Sequence, residues 1–295
     1  LEFFLNRLIH INRFPNYIRT LFNFNEKLKY NYLKLREIPI EKSYISKYQK
    51  IFYKIKALKS KERLKKKYSN KAMQIDLKEK YIYVPLHYQP ERTTLPEGGY
   101  YHNQELMIQL LSKIIPEDWY LYVKEHKSQF SKKLNGEKGR ILTFYDDIDL
   151  SNVKLVNLNQ NSFELIDNAE AIATITGTAG WEGISRNKPA IIFGEGCWYR
   201  NCEGVFYVSN KNEGINVIEK IKNGYNLDKN KVRLFIKALD NISINGYLNP
   251  SNSKGSDIDS KQNTTNLTKG ILDFIKRDMD KKFKEDIIKI QKSKL

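Results

Sequence analysis

Residues 171–183 read AIATITGTAGWEG, and this stretch decides the fold. An apolar run passes into a turn of threonines and small residues, and the turn passes into a segment that can form a helix. This order is typical of a buried strand followed by a helix in a parallel sheet. Free backbone N–H groups at the start of such a helix can meet an anion, and Thr176 and Thr178 add hydroxyl donors. The glycines of the stretch recur every third residue, which lets the helix approach the sheet closely.

Short apolar runs alternate with amphipathic segments from Tyr81 onward. This alternation predicts an α/β fold: a Rossmann-like parallel sheet covered by helices on both faces. Five strands are predicted, at residues 81–86, 119–124, 154–158, 171–176 and 190–193.

The helices between the strands have recognisable ends. Asn103 is predicted to cap a helix that ends before Pro116. Its apolar face is predicted to consist of Leu106, Leu110, Leu111 and Ile114. Asn161 and Glu164 have the spacing of a capping box. Two further helices are predicted near residues 215–221 and 231–239.

The positive charge is concentrated near the start of the chain. Residues 1–80 hold 21 Lys and Arg against 7 Asp and Glu, which accounts for +14 of the net charge of +17. Within this segment, residues 48–68 place apolar side chains at helical spacing with lysines between them, which predicts an amphipathic basic helix. Three interpretations stay open: a solvated face packed on its neighbour, a peripheral contact with anionic lipid at the inner membrane, or nucleic-acid binding, the least favoured.

Composition divides the chain into four parts. A basic, mainly helical segment covers residues 1–78, and the α/β domain covers residues 79–245. Residues 246–268 are rich in Asn, Ser, Gly and Lys and are predicted to be a mobile loop, and residues 269–295 carry the apolar stripe of a last helix. The chain begins with Leu rather than Met, which indicates a piece of a longer or trimmed protein.

The compartment is predicted to be the cytoplasm. No run approaches the roughly 18 uncharged apolar residues that span a bilayer. The two cysteines, Cys197 and Cys202, do not form a disulfide framework, so reduced thiols are expected.

A basic cluster follows the second predicted strand, where residues 124–127 read KEHK. Two lysines and an imidazole at the carboxyl end of a strand suit a phosphate, and His126 can protonate a departing oxygen. The alternative is a surface histidine with no role.

A third polar cluster follows the first predicted strand, at residues 87–94. Glu91, Arg92 and Thr94 offer a carboxylate, a guanidinium and a hydroxyl in one short loop, and Gln89 lies beside them. We predict that Gln89, Arg92 and Thr94 bind the ligand, and Glu91 is a candidate catalytic base.

Glu182 lies one turn into the helix that follows the glycine–threonine turn. A carboxylate at this place can accept hydrogen bonds from ribose hydroxyls, whereas burying it without a partner is costly. The alternative interpretation of the whole turn is a tight packing corner between helix and sheet.

These clusters carry a resemblance to a known family. Residues 83–91, 124–126, 176–182 and 188–194 resemble the capsular polysaccharide biosynthesis glycosyltransferases. That group includes the Kdo transferases of capsule assembly and has two Rossmann-like domains facing a cleft, the GT-B arrangement. The resemblance covers roughly residues 80–240. Lys127 stands where the family usually has proline.

The resemblance implies a role for each matching residue. His126 and Lys124 would hold the donor's phosphate, as would the hydroxyls and amides of Thr176, Gly177 and Thr178. Glu182 would hold the ribose. The family's acceptor domain does not match residues 1–78, so helices replace that domain or it has been lost.

The resulting hypothesis is a transferase that moves a sugar from a nucleotide-sugar donor to a glycan or glycolipid acceptor in capsule synthesis, with no metal and no cofactor beyond the donor. Two other readings stay open: a non-catalytic nucleotide-binding scaffold of a polysaccharide assembly complex, and a binder of membrane or nucleic acid through the basic segment.

Overall fold

The computed structural model describes residues 47–91, 93–248, 253 and 255–292, with side chains described for residues 51–91, 93–248, 253 and 255–277. Residues 1–46, which hold most of the predicted basic segment, lie outside the described residues. Arg92 lies outside them as well.

Six parallel strands form one sheet. They are β1 (Lys80–Pro85), β2 (Trp119–Lys124), β3 (Val153–Leu155), β4 (Ala171–Thr174), β5 (Ala190–Ile192) and β6 (Val205–Tyr207). Their order across the sheet is β3-β2-β1-β4-β5-β6. This is the order of a doubly wound Rossmann-like sheet, so the predicted fold class is confirmed. The sixth strand was not predicted, because it has only three half-buried residues and no long apolar run.

Helices cover both faces of the sheet. They are α1 (Lys47–Lys71), α2 (Gln104–Ser112), α3 (Phe144–Asp147), α4 (Ser162–Asn168), α5 (Thr178–Ser185), α6 (Lys211–Lys222), α7 (Lys229–Ile242) and α8 (Ser260–Lys292). Helices α1, α2, α3 and α6 share one core with the sheet, and α4, α5 and α7 pack on its other face. Strands β1 and β4 are therefore buried on both sides, as a sheet between two helical layers requires.

The C-terminal half of α1 belongs to the core of the α/β domain. Leu64 and Tyr68 are fully buried against the sheet, and the Tyr68 hydroxyl donates a hydrogen bond to the carbonyl of Val156. The predicted boundary at residue 78 therefore separates side chains that pack in one core. The prediction of a helix over residues 48–68 is confirmed.

Two helices begin at the predicted asparagine caps, but the Glu164 carboxylate accepts from Gln160 Nε2 instead of completing the predicted capping box, and one buried face differs. The side chains of Asn103 and Asn161 accept hydrogen bonds from the amides of Glu105 and Phe163. Helix α2 buries Gln104, Met107, Ile108 and Leu111. Of the four predicted apolar residues, Leu110, Leu111 and Ile114 pack in this core and Leu106 is exposed, so the centre of the buried face differs from the prediction.

The predicted loop at residues 246–268 is wrong at its C-terminal end. Helix α8 begins at Ser260, and Asn263 is buried because its side chain bonds the backbone of Tyr247 through both its oxygen and its nitrogen. The described apolar side chains of this helix at Ile271 and Phe274 are more than half exposed.

No described helix combines the length and the apolar character needed to cross a bilayer.

Candidate active site

A cleft of about 240 Å³ opens at the carboxyl edge of the sheet, where β1 and β4 lie side by side. The order of the strands reverses at this point, and parallel α/β sheets bind ligands in the crevice formed there. The polar residues that line the cleft come from the segments after β1, β2 and β4 and are His87, Tyr88, Glu91, Thr93, His126, Thr174, Thr176 and Thr178. The glycine–threonine turn and the histidine of the basic cluster thus face one cavity.

The glycine–threonine turn forms the start of α5. Gly177 precedes the helix in an extended conformation, and no side chain caps it, so the first amides of the helix stay available to a ligand. A β-carbon at Gly177 would lie 2.7 Å from Thr174 Oγ1 and 3.2 Å from His87 Nε2. The turn therefore requires glycine, since any side chain here would displace the residues beneath it.

Close packing of α5 on the sheet also holds as predicted. A β-carbon at Gly183 would meet the Ile172 side chain of β4 at 2.6 Å. On the other side, the Tyr199 hydroxyl donates a hydrogen bond to the carbonyl of Gly177. The loop after β5 is thereby tied to the turn.

His87 forms the floor of the cleft. Its Nε2 lies 3.0 Å from Thr174 Oγ1 and accepts a long hydrogen bond from the amide of Thr176 at 3.4 Å. Burial, with smaller contributions from Arg140 and His126, lowers the pKa of His87 to about 4. The imidazole is therefore neutral at neutral pH and holds the turn as an acceptor. The sequence placed His87 in a polar cluster without assigning it a role.

His126 occupies the opposite wall. Its Nδ1 accepts a hydrogen bond from the amide of Ser128 at 3.1 Å, which caps the short 3₁₀ turn Lys127–Phe130. In the neutral ring Nε2 then carries the proton, so an exposed imidazole at the cleft can donate to an oxygen. The structure thus places His126 at the cleft, and its role stays a prediction.

A buried ion pair supports this wall, and the sequence did not reveal it. Glu125 accepts from Arg140 Nε at 2.9 Å and from the Tyr145 hydroxyl at 2.7 Å, and its other oxygen accepts from the amide of His126. Arg140 also donates to the carbonyl of His87 at 3.0 Å. The pair links the segments after β1 and β2. In the sequence, Glu125 stands between two cations and looks like a surface charge.

The structure does not place Lys124 at the cleft. Its side chain is buried on the other side of the strand end, where Nζ donates to the carbonyl of Gln160 at 2.5 Å and to Ser162 Oγ at 2.9 Å. Burial, followed by the charge of Lys127, lowers the pKa of Lys124 to about 8. This correction has a physical reason: the lysine is the last residue of β2, and its inward side chain satisfies the loop after β3.

Gln89 and Thr94 are structural as well. Both side chains are buried, and Gln89 Nε2 donates to Thr94 Oγ1 at 2.6 Å. The Gln89 backbone bonds both ends of the Gln129 amide. The prediction that these two residues bind the donor is therefore corrected, because each side chain already bonds its own loop.

The two predicted carboxylates differ in place. Glu91 is half-buried and lines the cleft. Glu182 is half-buried on α5, one turn after Thr178, and forms no hydrogen bond or ion pair with the residues that the structure describes. Burial, with a smaller contribution from the Glu182 charge, raises the pKa of Tyr83 and Tyr199. It does not line the 240 Å³ cleft itself. The ribose role of Glu182 stays a prediction.

The hydroxyls of the turn also differ. Thr176 Oγ1 donates to the carbonyl of Thr93 at 2.7 Å, so only its lone pairs face a ligand, whereas Thr178 is exposed at the cleft. Over the described ranges, no group of three or more His, Cys, Asp and Glu side chains is placed to hold a metal ion. Cys197 and Cys202 are free and buried, and burial raises the pKa of both thiols.

A doubly wound sheet with an anion-suited crevice where its strand order reverses defines a Rossmann-like α/β protein. Comparison with known proteins narrows this class. The chain belongs to the capsule polysaccharide biosynthesis protein family, whose family model matches residues 1–220. The chain has no significant match among curated protein sequences.

Two solved structures show how distant the structural relatives are. The KpsC β-Kdo 2,7-transferase of Thermosulfurimonas dismutans is 18% identical with a TM-score of 0.30, over 48% of this chain and 40% of that protein. The UDP-GlcNAc 2-epimerase of Methanocaldococcus jannaschii is 18% identical with a TM-score of 0.40, over 61% of this chain and 50% of that protein. The chain thus spans half or less of the length of these proteins.

Proposed function

We propose that the chain is the donor-binding part of a glycosyltransferase that moves a sugar from a nucleotide-sugar to a glycan or glycolipid acceptor during capsule synthesis. Membership of the capsule polysaccharide biosynthesis family supports the pathway. The observation that carries the activity is the shared cleft, in which the uncapped start of α5 faces His126. A helix N-terminus and an imidazole N–H together suit a phosphate.

In this proposal the donor phosphate lies against the first amides of α5 and the Thr178 hydroxyl. His126 Nε2–H donates to a phosphate oxygen on the other side. As the bond between the sugar and the phosphate breaks, negative charge grows on the leaving oxygen, and these donors stabilise it more than they stabilise the bound donor. Glu91 lines the same cleft and could accept the proton of the acceptor hydroxyl.

Lys124 lies outside the cleft, so the donor phosphate would meet less positive charge than the sequence predicted. Most of the stabilisation of the leaving phosphate would then come from fixed dipoles: the start of α5, the Thr178 hydroxyl and the His126 imidazole. These groups are held by the buried network beneath them and need little reorganisation when charge develops.

Calorimetry of the full chain with CMP, UDP and GDP tests the proposal. One nucleotide should bind, and His126→Ala should weaken it about ten-fold or more, because a charge-assisted hydrogen bond is lost. His102→Ala is the matched control, since His102 is an exposed histidine in another 3₁₀ turn, away from the cleft. Full binding by both His126→Ala and Glu182→Ala would refute the site, and binding without turnover of any donor sugar would favour the scaffold reading.

A further inference from the structure

Helix α1 has two halves with different surroundings. Toward its C-terminal end three lysines pair with acids of the domain: Lys61 with Glu137 at 3.2 Å, Lys67 with Asp146 at 2.5 Å, and Lys71 with Asp149. Its N-terminal half extends away from the core. In that half Phe52 is 63% exposed and Ile55 is 48% exposed.

One face of α1 between residues 52 and 63 combines apolar side chains with cations. Its members are spaced three or four residues apart, as residues on one side of a helix are. Together with Ser60 and Leu142 they line a groove of about 420 Å³. We call this set the docking face: Phe52, Ile55, Lys56, Lys59 and Arg63.

The cations of the docking face have no acidic partner among the described residues. Residues 51–67 hold eight Lys and Arg and a single acid, Glu62. Lys56, Lys59 and Arg63 are exposed and form no ion pair with any acid in the described part of the chain. A partner with negative charge spread over a surface would match this arrangement.

We propose that the docking face holds the protein on an anionic membrane surface. Phe52 and Ile55 would enter the headgroup region, and Lys56, Lys59 and Arg63 would meet lipid phosphates. The exposed aliphatic side chain of Ile55 favours this partner over nucleic acid, because a phosphate backbone attracts cations but makes no favourable contact with an aliphatic side chain. Residues 1–46 carry eight Lys and Arg against four Glu and no Asp, so they offer few acidic partners to the cations of the face.

This inference does not depend on the cleft. A membrane-bound protein would lie close to a glycolipid acceptor, but membrane binding would remain even if the cleft were inactive. Failure of nucleotide binding and failure of membrane binding are therefore separate results.

Sedimentation of the full chain with vesicles tests the proposal. The protein should bind vesicles of phosphatidylcholine containing about one quarter phosphatidylglycerol, bind pure phosphatidylcholine vesicles weakly, and dissociate as salt is raised. Each removed cation should weaken binding about five-fold, so Lys59→Gln with Arg63→Gln should weaken it about 25-fold.

The matched control removes the same charge from the opposite side of the helix. Lys54→Gln with Lys65→Gln should change binding by at most about two-fold, because those cations would lie more than a Debye length from the lipid. Phe52→Ser should weaken binding about ten-fold through lost apolar contact. Equal losses in both charge pairs would overturn the docking face.

Two further results would also overturn the proposal. Tighter binding to duplex DNA than to the anionic vesicles, with no effect of Phe52→Ser, would assign the face to nucleic acid. A fall of several degrees in the melting temperature of Phe52→Ser, with vesicle binding unchanged, would show that the face packs on protein.

Discussion

The floor and the rim of the cleft use similar residue types in opposite ways. On the floor, His87, Glu125 and Arg140 are buried, and each of these side chains has a hydrogen-bond partner within the domain. On the rim, Glu91 and His126 reach the cavity from half-buried and exposed positions. We therefore expect a histidine or glutamate beside a site to support the site when all its hydrogen bonds go to the domain, and to bind a ligand when it keeps a polar atom free at the cavity.

The largest expected effect is a loss of stability when the floor of the cleft is altered. Glu125→Ala should lower the free energy of unfolding by about 3 to 5 kcal/mol, because it leaves the Arg140 guanidinium buried without its partner. Urea denaturation measures this change. Glu219→Ala, on the exposed face of α6, is the control and should stay within about 0.5 kcal/mol. A loss below 1 kcal/mol at Glu125 would contradict the buried pair.

A smaller effect concerns the protonation of His87. Its pKa is about 4 in the fold and about 6.5 in the unfolded chain, so the unfolded chain takes up the proton first as pH falls. This residue therefore lowers stability progressively from about pH 6.5 to pH 4, with roughly 2 kcal/mol lost between pH 7 and pH 5. Denaturation at several pH values should show this loss in the native protein, and His87→Gln should lack it. Parallel pH profiles for the two proteins would contradict a buried neutral imidazole.

The smallest effect on stability is expected beside the rim. Glu182→Gln should change the free energy of unfolding by no more than about 0.5 kcal/mol, because the carboxylate bonds no described residue. If Glu182 holds the ribose, the same variant should weaken UDP binding and leave pyrophosphate binding unchanged. Calorimetry with both ligands compares them, and equal losses for the two would exclude a ribose contact.

The sequence was sufficient for the sheet and for the meeting of two clusters. Apolar runs mark five of the six strands, and a parallel sheet places their carboxyl ends on one edge, so Gly177 and His126 were expected to be neighbours. It was not sufficient for assigning side chains within a cluster. Lys124, Gln89 and Thr94 have ligand-binding chemistry, but their hydrogen bonds go to segments that only the folded chain brings near.

The partners that consume those hydrogen bonds are distant in sequence. Gln129 lies 40 residues from Gln89, and Gln160 lies 36 residues from Lys124. Arg140 lies in a segment of short 3₁₀ turns with no periodic pattern. The sequence therefore did not predict its contact with Glu125. Local sequence patterns predict helices and strands, whereas the hydrogen-bond partner of a polar side chain depends on contacts between segments that are distant in sequence.

The burial of Leu64 and Tyr68 beneath the sheet affects how the protein can be divided. A fragment trimmed to the α/β repeat at residue 79 would lose a large aromatic ring and the hydroxyl that bonds the amide of Glu125. The wall that carries His126 would then lose one of its supports. Expression of the isolated α/β domain therefore has to begin upstream of Leu64, and a shorter clone that binds no nucleotide would say nothing about the cleft of the longer chain.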